Sequence, residues 1–170
     1  MISGNPTGNN SDSAYIEFVV EKYSKMLFRI CFVLLCHEAD AEDAVQETFL
    51  RYFTKAPAFS SEEHRKAWLI RVATNICKNT LRFKIRHSTL NLDEVRNVGV
   101  SDSDADIFEA IMELPPKYKL VMDLYYMEGY RIKEISDITG TSPDAIRKRL
   151  QYARNALKIE FERCDSLEIQ

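Results

Sequence analysis

Trp68 is the only tryptophan in the chain, and it heads a row of cations and carboxamides. At about 100° per residue, Arg71, Asn75, Lys78, Asn79 and Arg82 all fall within roughly 80° of it on one side and 20° on the other. The opposite surface carries Leu69, Ile70, Ala73, Ile76, Cys77 and Leu81, while His64, Arg65 and Lys66 stand just before the tryptophan. Cations meet phosphates, carboxamides meet base edges, and an indole stacks where a base pair has opened. The row therefore suits a junction between paired and single-stranded DNA. Packing is the competing role: tryptophan is usually mostly buried, so Trp68 can lean on a neighbouring helix while the charges are merely solvated.

A second constellation lies near the C-terminus. Ser142 has the chemistry of an N-cap and Pro143 that of a first helical residue, which sets the phase of the helix that follows. In that phase Ile146, Leu150, Ala153 and Leu157 share one stripe, and Asp144, Lys148, Gln151 and Asn155 lie opposite. Arg147 and Arg154 border the polar face on one side, Arg149 and Tyr152 on the other. Gly140-Thr141-Ser142 separates this helix from one over about residues 132–139, which is the layout of a helix-turn-helix. In such a motif Lys or Arg can bond guanine edges, Gln or Asn can match adenine, and bordering arginines hold phosphates. A charged face on an ordinary helical hairpin has the same composition. Five basic residues and no acid between Arg147 and Lys158 favour DNA.

A third group, Asp40, Glu42, Asp43, Gln46 and Glu47, precedes Arg51. Paired carboxylates can do acid–base work or hold a metal. Only His37 accompanies them at useful spacing, and no Gly-rich phosphate loop is present. An acidic protein-binding face with Phe49 as its apolar anchor is the preferred reading, and a solvated helix start favourable to the macrodipole is the alternative. No catalytic residue, metal site or cofactor is expected. Cys31, Cys36, Cys77 and Cys164 show no paired spacing, so free thiols in a reducing cytosol are expected.

The elements that must position these groups are helices. The chain has 170 residues, 45% of them hydrophobic, with only five Gly and five Pro for tight turns. Net charge is −3, but it is segregated: residues 61–90 hold seven basic and two acidic side chains, residues 91–113 one basic and seven acidic, and residues 129–163 eight basic and five acidic. The overall balance therefore says little about a polyanionic partner. A first amphipathic helix starts near Ile16. A second is capped by Asp40 and ended by Pro57, and a third opens on a Ser60–Glu63 capping box and runs to about Lys84. Residues 86–103 lose periodicity and read as an acidic linker. A short helix then begins near Asp104, and Pro115 and Pro116 divide it from the next, which Gly129 breaks. The last helix is expected over residues 143–161. The fold class expected is all-α: a tail at residues 1–14, a domain at 15–85, the flexible acidic linker at 86–103, a helix-turn-helix domain at 104–163 and a tail at 164–170. Neither a signal peptide nor a membrane span is expected.

The runs DAEDAVQETFLRYF (residues 40–53), FSSEEHRKAWLIRVATNICKNTLR (residues 59–82) and LPPKYKLVMDLYYMEGYRIKEISDITGTSPDAIRKRLQYARNALK (residues 114–158) resemble extracytoplasmic-function sigma factors of bacterial RNA polymerase, in the family's order. The resemblance implies two helical domains, a role in promoter recognition rather than catalysis, and a cytoplasmic location. The partners it implies are core RNA polymerase (the clamp helices of the largest subunit), promoter DNA and an inhibitory anti-sigma protein. Core binding would fall on Asp40, Glu42, Asp43, Gln46, Glu47 and Phe49. Reading of the −10 element would fall on the segment 59–66 and on Asn75, Lys78 and Asn79. With Arg65, Lys66, Trp68, Arg71 and Arg82 these form the expected melting surface. The −35 element would fall on Arg147, Lys148, Gln151 and Tyr152, with Thr141, Ser142, Arg149 and Arg154 around them. Position 152 is often basic in the family, and the segment 60–66 lacks the family's frequent small Gly. Two rivals stand beside this reading. A helix-turn-helix regulator acting without polymerase has no use for the Trp68 row, and a metal-dependent hydrolase needs His37 and the residue 40–47 carboxylates.

Overall fold

The computed structural model describes residues 13–87 and 111–157. Most of the expected tails and linker, the helix start near Asp104 and the end of the last helix beyond residue 157 lie outside these residues; residues 13 and 14, expected in the tail, and Arg86, expected in the linker, are helical instead. The chain divides into two units, Met1–Asn97 and Val98–Gln170. Every regular element among the described residues is helical.

In the first unit α1 spans Ser13–Leu35, α2 Glu38–Lys55 and α3 Glu62–Arg86, each packed on the other two. The three-to-four spacing of α1 places Val19, Tyr23, Leu27, Ile30, Cys31 and Leu34 in the core. Cys36 ends α1 in the left-handed region (φ 53°), with its N–H on the Phe32 carbonyl at 2.8 Å. That conformation costs a side-chain-bearing residue about 1–2 kcal/mol, which the packed α1–α2 corner offsets.

Two helix starts differ from expectation. His37, not Asp40, caps α2: its extended backbone brings Nδ1 to accept the Asp40 N–H at 3.3 Å. Asp40 sits in the first turn instead, where the macrodipole favours a carboxylate. At α3 the cap is Ser61, whose hydroxyl accepts the His64 N–H at 3.1 Å, and not Ser60. Two adjacent serines satisfy the same local rule, and only the helix phase selects between them.

In the second unit residues 111–113 are helical, and α4 (Pro116–Met122) starts on Pro116. A wider π-helical turn, Asp123–Met127, follows, and then Gly129 at φ 71°. Helix α5 (Ile132–Thr139) ends at Gly140, whose φ of 66° suits a residue without Cβ, and its N–H reaches the Ser136 carbonyl at 2.9 Å. Ser142 caps α6 (Pro143–Ala156) by accepting the Ala145 N–H at 3.3 Å. Leu120, Val121, Leu124, Ile135, Ile138, Ile146, Leu150 and Ala153 form the core beneath α6. The turn between α5 and α6 is therefore set by two local devices, a left-handed glycine and a serine–proline start.

Candidate nucleic-acid interface

Trp68 is half-buried, and its companions are aromatic. Its ring lies 6.2 Å from Tyr52 and 5.8 Å from Phe59, both edge-on, while Tyr52 and Phe59 stack at 6.0 Å. His64 meets the Phe59 ring edge-on at 5.5 Å. The indole is thus braced on rings from α2 and from the α2–α3 connection, with part of its surface open. Below it Leu69, Ile70, Ala73, Thr74, Ile76 and Cys77 are buried. Arg71, Asn75, Asn79 and Arg82 are exposed on the other face, and Lys66 and Lys78 are half-exposed. Arg82 Nη1 donates to Asn79 Oδ1 at 3.4 Å, a weak tie that water readily replaces.

Arg65 differs from the rest of the predicted row. Its guanidinium lies 5.7 Å over Phe59 and donates to Glu62 Oε2 at 2.8 Å, and its side chain is only 18% exposed. These contacts tie it to the aromatic brace. Glu62 joins this brace to α1: Lys22 Nζ donates to Oε1 at 2.6 Å, and the Tyr23 hydroxyl donates to the same oxygen. Burial opposes the Glu62 charge, but the hydrogen bonds from Lys22 and Tyr23 and the positive charges of Arg65 and Lys22 outweigh it, holding the carboxyl below its ordinary range. Burial and the bond to Glu62 push the Tyr23 phenol up, so it stays a donor at neutral pH.

A depressed carboxyl pKa contributes stability that is complete above the unfolded value and lost as pH falls through the folded one. The thermal midpoint of the first unit is therefore expected to fall on acidification from about pH 6 to pH 3, and to fall less in Glu62→Gln. Equal acid slopes for the two proteins in pH-resolved calorimetry contradict this role for Glu62.

On α2, Glu42, Asp43 and Gln46 are exposed, and Glu47 is half-exposed and paired with Arg51 at 2.7 Å. Asp40 is tied inward, its Oδ2 accepting from Lys84 Nζ of α3 and lying 3.1 Å from His37 Nδ1. Phe49 is only 8% exposed and stacks on Phe53, so it cannot be the outward anchor that residue type alone indicated. Leu50, next in sequence and 59% exposed, is the apolar group on the face of Glu42, Asp43 and Gln46. Its signal was the spacing 42, 46, 50, one residue every helical turn. Among the described residues no group of three or more His, Cys, Asp or Glu side chains is placed to hold a metal. Cys31 and Cys77 are buried and not disulfide-bonded.

In the second unit Lys148, Gln151, Tyr152 and Asn155 are exposed on α6, and Arg147 is exposed beside Asp144 at 2.7 Å. Such an exposed pair contributes little to stability, so Arg147 is readily released to another anion. Arg149 donates to Thr141 Oγ1 at 3.4 Å, which spans the turn. Arg154 is half-buried, with Nε on the Tyr126 hydroxyl at 2.7 Å and its guanidinium over the rings of Tyr125 and Tyr126. It fastens α6 to the π-helical turn. Helix phase had placed it at the edge of the polar face without revealing the tyrosines that receive it.

Comparison with known proteins agrees with this division into two parts. A family described as sigma-70 region 2 matches residues 19–86, and one described as sigma-70, region 4 matches residues 104–157. The RNA polymerase sigma factor SigV of Bacillus subtilis is 27% identical over 150 residues, spanning 86% of this chain and 90% of that protein. The ECF RNA polymerase sigma factor SigW of the same organism is 26% identical over 159 residues, spanning 82% of this chain and 85% of that protein. In fold, the chain is similar to the sigma factor RpoE, solved in complex with the anti-sigma factor NepR from Bartonella quintana. The TM-score is 0.69 at 20% identity, over 85% of this chain and 94% of that one. It is also similar to CnrH, solved with the cytosolic domain of CnrY, at a TM-score of 0.62 and 23% identity over 90% and 89% of the two chains. The two matched regions together span well over half of the residues, and the chain belongs to the sigma-70 family as a sigma factor of the extracytoplasmic-function class.

Proposed function

We propose that this chain joins core RNA polymerase in the cytoplasm, directs it to promoters and makes or breaks no covalent bond itself. The observation that carries the reading is the pairing in one chain of two different DNA-suited surfaces. One is the Trp68 row of α3, braced on Tyr52 and Phe59. The other is the exposed polar face of α6 in a helix-turn-helix. The first fits unpaired strand, because an open aromatic surface offers stacking and Arg71, Asn75, Lys78, Asn79 and Arg82 offer contacts along a backbone. The second fits duplex major groove through Lys148, Gln151 and Tyr152, with Arg147 on phosphate. Arg65 and Arg154 hold the two surfaces in shape rather than touching DNA. A domain division at residues 15–85 and 104–163, with an anti-sigma protein as a further partner, completes the reading.

Docking on polymerase is assigned to Glu42, Asp43, Gln46, Glu47 and Leu50, an acidic face around one exposed apolar side chain. Leu50→Asp is expected to weaken assembly with core enzyme about tenfold, or ~1.4 kcal/mol, with unchanged helicity. Competition against the unlabelled parent chain measures it; equal competition by the variant contradicts the assignment. The function as a whole is tested by in vitro transcription from a library of promoter fragments, with core enzyme alone and with the chain added. Defined transcripts that depend on the chain are expected. Tight duplex binding without core enzyme, and no new transcript with it, favours a regulator that acts alone.

A further inference from the structure

Tyr152 is an unusual member of the polar face of α6. Lys148, Gln151 and Asn155 around it are flexible hydrogen-bonding groups, whereas Tyr152 is a flat ring that remains 52% exposed. That ring is held in place. It stacks on Tyr118 of α4 with centroids 4.3 Å apart and planes 22° from parallel. Tyr118 lies in the first turn of α4 with its N–H on the Pro115 carbonyl at 2.9 Å, and Lys117 Nζ stands 4.8 Å from its ring centroid. One face of Tyr152 is therefore covered and its rotamer set, while its outer edge lies about 40° from Lys148 around the helix.

If stacking alone were the purpose, a tyrosine at the border of α6 could be more covered, as the half-buried Tyr125 and Tyr126 are beside Arg154. A ring left half-exposed among base-reading groups has a different use. A long cation there would seek the two acceptors of guanine, which a phenyl edge cannot bond bidentately. What the edge complements is the one apolar group in the major groove, the 5-methyl of thymine. Because the stack has already restricted the side chain, little conformational entropy is lost on contact.

We propose that Tyr152, held by Tyr118, is a specificity residue that reads a thymine methyl within the upstream duplex element, and that Tyr118 is its positioning residue. This rests on the assignment of α6 to that element. The test uses the holoenzyme and an upstream element selected from the fragment library, with each thymine replaced in turn by uracil, which removes only the methyl. At one or two adjacent positions uracil is expected to weaken binding about three- to fivefold, the scale of one buried methyl group. Tyr152→Phe should keep that discrimination, Tyr152→Ala should abolish it, and Tyr118→Ala should shrink it. A Tyr152→Arg variant should shift the preference at the same position toward guanine.

A parent holoenzyme that requires the element but tolerates uracil throughout overturns the thymine reading alone, without any variant having to fold. Uniform weakening of all duplexes by Tyr152→Ala overturns it too, in favour of a phosphate contact. A holoenzyme indifferent to the upstream duplex overturns the assignment of α6, and this inference with it.

Discussion

Trp68→Ala is expected to slow open-complex formation about 10- to 100-fold while leaving assembly with core polymerase within about twofold. Base–aromatic stacking is worth about 1–3 kcal/mol per base, and that range sets the expected loss. The separation of effects follows from the structure. Trp68 is on α3, braced by Tyr52 and Phe59, whereas Glu42, Asp43, Gln46 and Leu50 occupy the exposed face of α2. A template already unpaired by mismatches over the same positions should recover most of the loss, because the cost of melting no longer falls on the protein. Removing the indole also takes an edge-on partner from two rings, so a lower thermal midpoint is expected as well. Trp68→Phe separates the two effects: it keeps most of the packing and should retain an intermediate melting rate. Normal melting by Trp68→Ala, read by permanganate reactivity of unpaired thymines, contradicts the role.

The second large effect is expected at Lys148. Among the exposed groups of α6 it is the cation at the centre of the polar face, flanked by Gln151, Tyr152 and Asn155. Lys148→Ala should cost about 1–3 kcal/mol of affinity for the selected upstream element if its ammonium bonds a base edge. The same substitution at a phosphate contact would weaken all duplexes alike and lower the salt slope by about one. Holoenzyme titrations at several salt concentrations, on the selected and a scrambled element, separate the cases. Loss confined to the selected element is the expected result. Equal loss on both assigns Lys148 to the backbone.

How far the residues announce these surfaces depends on how local the cause is. The helix-turn-helix was readable almost to the residue, because Gly140, Ser142 and Pro143 act on their own backbone and Ile146, Leu150 and Ala153 repeat at helical spacing. The row from Arg71 to Arg82 was readable for the same reason, since phase within one helix needs no knowledge of its neighbours. Tertiary packing was not readable. Phase places Phe49 and Leu50 on adjoining parts of α2, and only the packing of the unit decides that the phenylalanine is covered and the leucine is not. Arg65 and Arg154 carry the charge of DNA contacts, yet Phe59 and Glu62 claim one and Tyr125 and Tyr126 the other. His37 took the cap expected of Asp40 because its ring nitrogen stands where it meets the Asp40 N–H, a use that cap preferences do not include.

Photocrosslinking tests most directly whether the tryptophan-headed surface meets opened DNA. In holoenzyme assembled with this chain, single thymines of the non-template strand are replaced by 5-iodouracil, and the crosslinked peptide is identified by mass spectrometry. A crosslink to the peptide carrying Trp68 is expected from a position that becomes unpaired, appearing as the complex opens on warming and missing while the duplex stays closed. If open complexes form yet crosslink only to peptides elsewhere in the chain or in the polymerase, this surface does not hold the separated strand.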